Sequence, residues 1–71
     1  MKVYLLQYDD GCDGLQVQSV SGTPEAAQNS FLEKAEAWGF TPKVATQHFS
    51  IEIWDTETGC YVDDLKIELK G

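Results

Sequence analysis

His48, Ser50 and Glu52 carry the three functional groups of a hydrolytic site, namely a base, a hydroxyl nucleophile and an orienting acid. They lie two residues apart in HFSIEIW, residues 48–54, where apolar and polar residues alternate as in a strand. Side chains at this spacing project from one exposed face of a strand, where neither a pocket nor an oxyanion donor is expected. We therefore expect no catalytic role for these residues and no enzymatic activity.

The acidic, glycine-rich segment DDGCDG, residues 9–14, invites comparison with a calcium-binding loop. Asp9, Asp13 and Gly14 match three positions of an EF-hand loop. However, the third position is a glycine, and the twelfth is Val20 in place of the bidentate Glu that coordination requires. We therefore predict a turn built from Asp and Gly, with no metal site and no cofactor.

The length and charge of the chain limit what it can bind. Its 71 residues suffice for a single domain, residues 1–71, and the 42% hydrophobic content is typical of a folded chain. Twelve acidic residues oppose five basic ones, giving a net charge of −7. Such a surface repels phosphate backbones and attracts cations, so we expect a protein partner with a basic surface and no direct nucleic-acid binding. The same acidity also fits a simpler role in solubility.

The start of the chain and its cysteines favour a cytoplasmic protein. MKVYLLQYDD lacks the apolar core of a signal peptide, and no stretch approaches the about 20 apolar residues of a membrane span, so no membrane partner is expected. Cys12 and Cys60 match neither a zinc site nor a CxxC motif, which favours reduced thiols. A disulfide between them stays open.

Capping residues predict a helix in the middle of the chain. Thr23 is a favourable N-cap, Pro24 suits the first helical position, and Gly39 suits the residue that follows a helix ending near Trp38. The predicted apolar stripe of this helix is Ala27, Phe31, Ala35 and Trp38.

Alternating hydrophobicity predicts two hairpins on either side of this helix. The first has strands at residues 2–8 and 15–20 around the Asp-Gly turn. The second has strands at residues 43–54 and 60–69 around the turn DTETG. The predicted fold is a single α+β domain of order β-β-α-β-β, in which one helix packs on one face of a four-stranded, mostly antiparallel sheet.

Because one helix covers only one face of such a sheet, the other face is expected to be exposed or bound to a partner. The covered face is predicted to contain Leu15, Val17, Phe49, Ile51, Ile53, Leu65, Ile67 and Leu69. The first strand is apolar on both faces, and we expect Val3 and Leu5 to face the helix. The exposed interface is then predicted to contain Tyr4, Leu6, Tyr8, His48 and Trp54. Tyr and Trp are typical of protein interfaces, so this face predicts partner docking or a homodimer.

The two hairpin turns are predicted to lie at opposite ends of the sheet, and both are acidic. Since a basic partner is attracted to such tips, we expect the acidic residues there to bind it. The predicted partner-binding acids are Asp9, Asp10, Asp13, Asp55, Glu57, Asp63 and Asp64.

Residues KVYLLQYDDGCDGLQVQSV and the following GTPEAA resemble the N-terminal half of HicB-type antitoxins, with a strand, an Asp-Gly turn, a strand and a T-x-E-A helix start. The second half departs from that family, because a hairpin stands in place of its Pro-rich strand end and DNA-binding tail.

The β-β-α-β-β order, the Trp38-Gly39-Phe40 helix end and the D-x-E-T-G hairpin resemble small acidic phage-encoded inhibitors, the anti-CRISPR proteins. This resemblance implies a non-enzymatic inhibitor in the host cytoplasm, whose acidic loops bind the basic, nucleic-acid-binding surface of a target protein. The alternative is a small structural or assembly subunit that homo-oligomerises through its aromatic sheet face.

Overall fold

The computed structural model describes residues 1–9, 11 and 14–67. Within these ranges one antiparallel sheet is formed by β1 (Lys2–Asp9), β2 (Leu15–Ser21), β3 (Phe49–Asp55) and β4 (Cys60–Leu65). The strand order is β2-β1-β3-β4, so β1 lies in the interior of the sheet. Helix α1 (Pro24–Ala37) packs on one face, which confirms the predicted α+β class and the predicted strand directions.

Helix α1 begins and ends where its capping residues predict. The Thr23 hydroxyl accepts a hydrogen bond from the Ala26 N–H at 3.1 Å, and the helix starts at Pro24. Gly39 adopts a φ of 77°, a left-handed conformation that glycine reaches without a Cβ clash. Trp38 is the C-cap, and its side chain remains 42% exposed although it belongs to the predicted stripe.

The third predicted strand, residues 43–54, is wrong at its start. Residues Pro42–Ala45 form a second short helix, α2, and β3 begins only at Phe49. The Thr41 hydroxyl accepts a hydrogen bond from the Val44 N–H at 3.3 Å. This Thr-Pro pair repeats the pair that starts α1, so helix capping prevails here over strand propensity.

Strand β1 presents to the helices the face opposite to the predicted one. Leu6 is fully buried, and Tyr4 and Tyr8 pack against the same core. Val3 and Leu5 therefore face away, and the prediction that Tyr4, Leu6 and Tyr8 form an exposed interface is wrong. Because β1 has a strand on each side and is apolar on both faces, its alternation cannot determine which face meets the helix.

The hydrophobic core lies between the helices and the middle of the sheet. Its buried side chains are Leu6, Ala27, Phe31, Ala35, Ala45, Phe49 and Ile51. Leu65 and Ile67 pack against this core, as the alternation predicts. Leu69, which belongs to the same predicted set, lies outside the described residues.

Aromatic rings fill the space between the sheet and the C-terminal end of α1. Tyr8 packs edge-on against Trp38, with ring centroids 4.7 Å apart, and lies 5.1 Å from Phe49. His48 stacks on Phe40 at a centroid distance of 5.6 Å. His48 therefore belongs to the helix side, and its predicted place on the exposed interface is wrong, because the chain enters β3 only after this residue.

Two register shifts alter which residues share a face. Just before Gln7 the pairing of β1 with β2 shifts, so that Gln7 lies opposite Val17. Val17 is 55% exposed on the face away from α1, and its predicted place on the covered face is wrong. The second shift lies between Ile53 and Trp54 in their pairing with β4, and it leaves Val62 without a directly paired residue.

The orientation of β1 can be tested by two matched substitutions. We expect Leu6→Ala to cost about 2–5 kcal/mol in the free energy of unfolding, the usual range for a fully buried leucine. Leu5→Ala removes the same atoms from the opposite, half-buried face, so its cost should be clearly smaller. Urea denaturation followed by circular dichroism measures both values. A larger loss for Leu5→Ala would show that the strand faces the other way.

Candidate protein interface

The face of the sheet directed away from α1, here called the outer face, is left uncovered by the described helices. The strand pairings place on it Val3, Leu5, Gln7, Val17, Val20, Ser50, Glu52, Trp54, Tyr61 and Asp64. Val17, Val20 and Tyr61 are 55%, 61% and 46% exposed. Apolar surface of this kind, next to charged residues, is typical of interaction sites.

Two neighbouring cross-strand pairs of β3 and β4 form the acidic and aromatic part of the outer face. Trp54 lies opposite Tyr61, and Glu52 lies opposite Asp64; we call these four residues the outer-face quartet. The rings of Trp54 and Tyr61 meet at 77°, with centroids 6.2 Å apart. Like charges directly opposite each other destabilise a sheet, so the stability of the sheet does not explain why Glu52 and Asp64 are paired.

Hydrogen bonds from neutral groups orient the Glu52 carboxylate. Its Oε1 accepts from Gln7 Nε2 at 2.9 Å and from Trp54 Nε1 at 3.1 Å. These bonds satisfy the indole N–H of a half-buried Trp and the amide N–H of Gln7, which is 8% exposed. The Gln7 Oε1 is buried and has no hydrogen-bond partner among the described residues. Glu52 is thus held in place without its charge being neutralised.

The acidic side chains around Tyr61 act on its phenol. Hydrogen bonding to the Asp64 carboxylate raises the pKa of Tyr61 above its ordinary value of 10.0. Loss of solvent around the phenol, and the charges of Asp64, Asp63 and Glu52, act in the same direction. The cause is that a negative environment disfavours a second negative charge on the phenolate.

The predicted acidic tips lie at opposite ends of the sheet, separated by roughly 24 Å for a strand of this length. Their carboxylates take part in the turns. Asp9 Oδ1 accepts from the Gly11 N–H at 2.8 Å, and Asp55 Oδ1 accepts from the Glu57 N–H at 2.9 Å. Such bonds are typical of Asp in tight turns, which gives these residues a structural role. Two further predicted tip residues, Asp10 and Asp13, lie outside the described residues.

Asp63 and Asp64 lie within β4, at a distance from the turn. They pair with Ile53 and Glu52, respectively, and Asp63 Oδ1 accepts from the Asp64 N–H at 2.8 Å. The structure thus brings one predicted acid, Asp64, beside one predicted aromatic, Trp54, within the quartet. The partners that the sequence-based prediction missed are Gln7 and Glu52. Glu52 carries a signal in the sequence, since it lies two residues before Trp54 in an alternating strand.

The structure does not bring together the hydrolase-like set. Ser50 and Glu52 lie on the outer face, whereas His48 lies beside Phe40 on the helix side. In the part of the chain that the structure describes, no group of three or more His, Cys, Asp or Glu side chains is placed to hold a metal ion. Cys60 is exposed at the start of β4, and Cys12 lies outside the described ranges.

Within residues 1–9, 11 and 14–67, no helix is long and apolar enough to cross a bilayer.

Comparison with known proteins adds no relative. No protein-family model matches the sequence, and searches of curated proteins and of solved structures found no match. The function is therefore argued from the outer face.

The role of Glu52 as a shared acceptor predicts unequal effects for two substitutions. Glu52→Ala leaves the Gln7 amide without its acceptor, which should cost about 1–3 kcal/mol in the free energy of unfolding. Glu52→Gln keeps an acceptor oxygen and removes the repulsion with Asp64, so its cost should be smaller. Chemical denaturation provides both values, and equal losses would contradict the acceptor role.

The contact between Tyr61 and Asp64 predicts a shift in titration. In the unsubstituted protein the Tyr61 phenol should titrate above 10.0, and Asp64→Asn should move its pKa back towards that value. Tyrosine-ring NMR signals followed against pH measure this pKa. Asp55→Asn removes the same charge at one end of the sheet and serves as the control. A shift equal to that control would rule out the direct contact as the cause.

Proposed function

We propose that this protein is a non-enzymatic binding protein whose outer face docks on a basic surface of another protein. The observation that carries this proposal is the outer-face quartet, in which two rings and two carboxylates lie together on a face that no described helix covers and without an ion-pair partner among the described residues. Aromatic side chains supply contact area, and oriented carboxylates supply specificity for cations.

The two halves of the outer face suit different parts of such an interface. Around β2, Val17 and Val20 offer apolar contact area without any charge. Around β4, Glu52 and Asp64 offer negative charge, in keeping with the net charge of −7. An overall negative field accelerates encounter with a basic partner, and the apolar half then contributes to the lifetime of the complex.

Inhibition of a nucleic-acid-binding protein is the form of this function that the resemblance to anti-CRISPR proteins implies. Surfaces that bind nucleic acids present Lys and Arg side chains to phosphates. Carboxylates use the same charge-assisted hydrogen bonds as phosphates, so an acidic sheet can occupy such a surface and exclude the nucleic acid. The site of action would then be the host cytoplasm.

A homodimer formed through the outer face, as in an assembly subunit, is the second candidate. It is favoured by β2, LQVQSVS, an edge strand that carries no charged residue and exposes Val20. It is opposed by charge, because two copies of net charge −7 repel each other. A basic partner protein can contact the apolar half of the outer face and also neutralise its acidic half. We therefore prefer docking on a basic partner to the homodimer.

Titration with a basic probe tests the docking proposal. A synthetic peptide of alternating glycine and arginine is added to the ¹⁵N-labelled protein, and the shifted amide signals are mapped. We expect the largest shifts in β3 and β4. Asp64→Asn should weaken binding by about threefold or more, a typical loss for a charge in an interface. Glu33→Gln, the same charge change on the exposed side of α1, should leave it unchanged.

Equal weakening by the two substitutions, or shifts spread over α1, would reduce the effect to overall charge and contradict the proposed interface. Self-association is measured separately, by light scattering over a range of concentrations. A constant mass of 7.9 kDa excludes the homodimer, whereas a dimer that Val20→Glu dissociates would establish the second candidate in place of the first.

A further inference from the structure

Building on the proposed function, we propose that the outer-face quartet is a receptor for one arginine side chain of the partner. In this arrangement the guanidinium group lies against the face of one ring of the Trp54–Tyr61 pair and donates hydrogen bonds to Glu52 and Asp64. The proposal names the chemistry that the basic partner must present at the centre of the interface.

The spacing within the quartet suits a group of this size. Directly paired residues in an antiparallel sheet have Cβ atoms about 4.5–5.5 Å apart. Glu52 and Trp54, two positions apart on β3, are about 6.8 Å apart. Tyr61 and Asp64 are three positions apart on β4, because the register shift lies between them. Two adjacent pairs, Trp54 with Tyr61 and Glu52 with Asp64, therefore bound a small patch with rings at one end and carboxylates at the other.

The charge of the patch lacks a counterpart within the described chain. Glu52 and Asp64 face each other across β3 and β4, and no ion pair to either carboxylate is found among the described residues. Gln7 and Trp54, which donate hydrogen bonds to Glu52, are both neutral. A cation between the two carboxylates turns an unfavourable pair into two favourable contacts.

A buried acceptor beside the patch also lacks a donor. The Gln7 amide donates to Glu52 at 2.9 Å, while its Oε1 is buried and unpartnered in a side chain that is 8% exposed. Native proteins rarely leave such a group unpaired, and an orphan acceptor indicates a missing donor. Gln28 Oε1 on α1 is buried and unpartnered as well, but the Gln7 amide differs because its Nε2 contacts Glu52 of the patch.

Arginine fits this site better than lysine for three reasons. Its guanidinium is planar and stacks on an aromatic face, and because the two rings meet at 77° it lies flat on one of them. It has five N–H donors in a fixed fork, against three on lysine, and the patch offers two carboxylates. It also loses less hydration than an ammonium group when it leaves water.

Two peptides of equal charge test the proposal. Acetylated Gly-Arg-Gly-Arg-Gly and its Lys counterpart are titrated separately into the ¹⁵N-labelled protein, and the indole N–H signal of Trp54 is followed. We expect the Arg peptide to bind about three- to tenfold more tightly and to shift this signal. The indole signal of Trp38, on the helix side, is the internal control and should not move. A peptide with citrulline in place of Arg, which has the shape without the charge, should not bind.

Substitutions then assign the binding to the quartet. Tyr61→Leu removes a ring and keeps apolar area, and it should abolish most of the preference for Arg over Lys. Asp64→Asn should weaken binding of both peptides, whereas Glu33→Gln on α1 should not. The dispersion of the ¹⁵N spectrum shows in each case that the variant is folded.

The outcomes separate this proposal from the one on which it rests. Equal affinity for the two peptides, with shifts still centred on β3 and β4, would overturn the arginine receptor and leave the basic-partner interface standing. Shifts centred elsewhere on the molecule would overturn both. A preference for Arg that survives Tyr61→Leu would also overturn the receptor, because the preference would then arise outside the quartet.

Discussion

One helix of 14 residues, with the short helix α2 beside it, covers one face of a sheet of four strands, and the organisation of the molecule follows from this constraint. On the covered face, Phe31 from α1 is fully buried together with Leu6 and Ile51 from the two interior strands. Core packing therefore leaves little choice of residue there. The choice of residue on the outer face is not restricted by packing against a helix. Its side chains are organised within the sheet by cross-strand pairs and by the hydrogen bonds to Glu52. Its composition is thus available for recognition of a partner.

The parts of the fold that depend on residues close together in the sequence were predictable. Helix α1 is specified by Thr23, Pro24 and Gly39, each of which acts through its own backbone or a neighbour's. The wrong predictions have a different origin. The orientation of β1 depends on which of two apolar faces meets a helix that is distant in sequence. The face occupied by Val17 depends on a single extra residue in β2, which alternation cannot reveal.

The candidate site was predictable only in part, for a similar reason. Alternation within β3 predicts that Trp54 points away from the face that contains the buried residues, and the structure confirms this orientation. The juxtaposition of Glu52 with Asp64 depends on the pairing of β3 with β4 beyond a register shift, and no pattern within one strand contains it. The acidic tips illustrate a second difficulty. Aspartate serves both as a turn former and as a surface charge, and Asp9 and Asp55 are used in the first way.

The interior position of β1 also determines the order in which the chain can complete its fold. One partner strand of β1, β2, follows it almost immediately in the sequence. The other, β3, comes much later, so that Lys2 pairs with Asp55. Contacts between residues so far apart form slowly, because a long loop must close first. As the chain leaves the ribosome, the first hairpin and α1 are available while one edge of β1 still lacks its partner. The unpaired N–H and C=O groups along the edge of an eight-residue strand adhere to other chains. Shortened products that end before Phe49 should therefore aggregate, and correct folding waits until β3 has been synthesised.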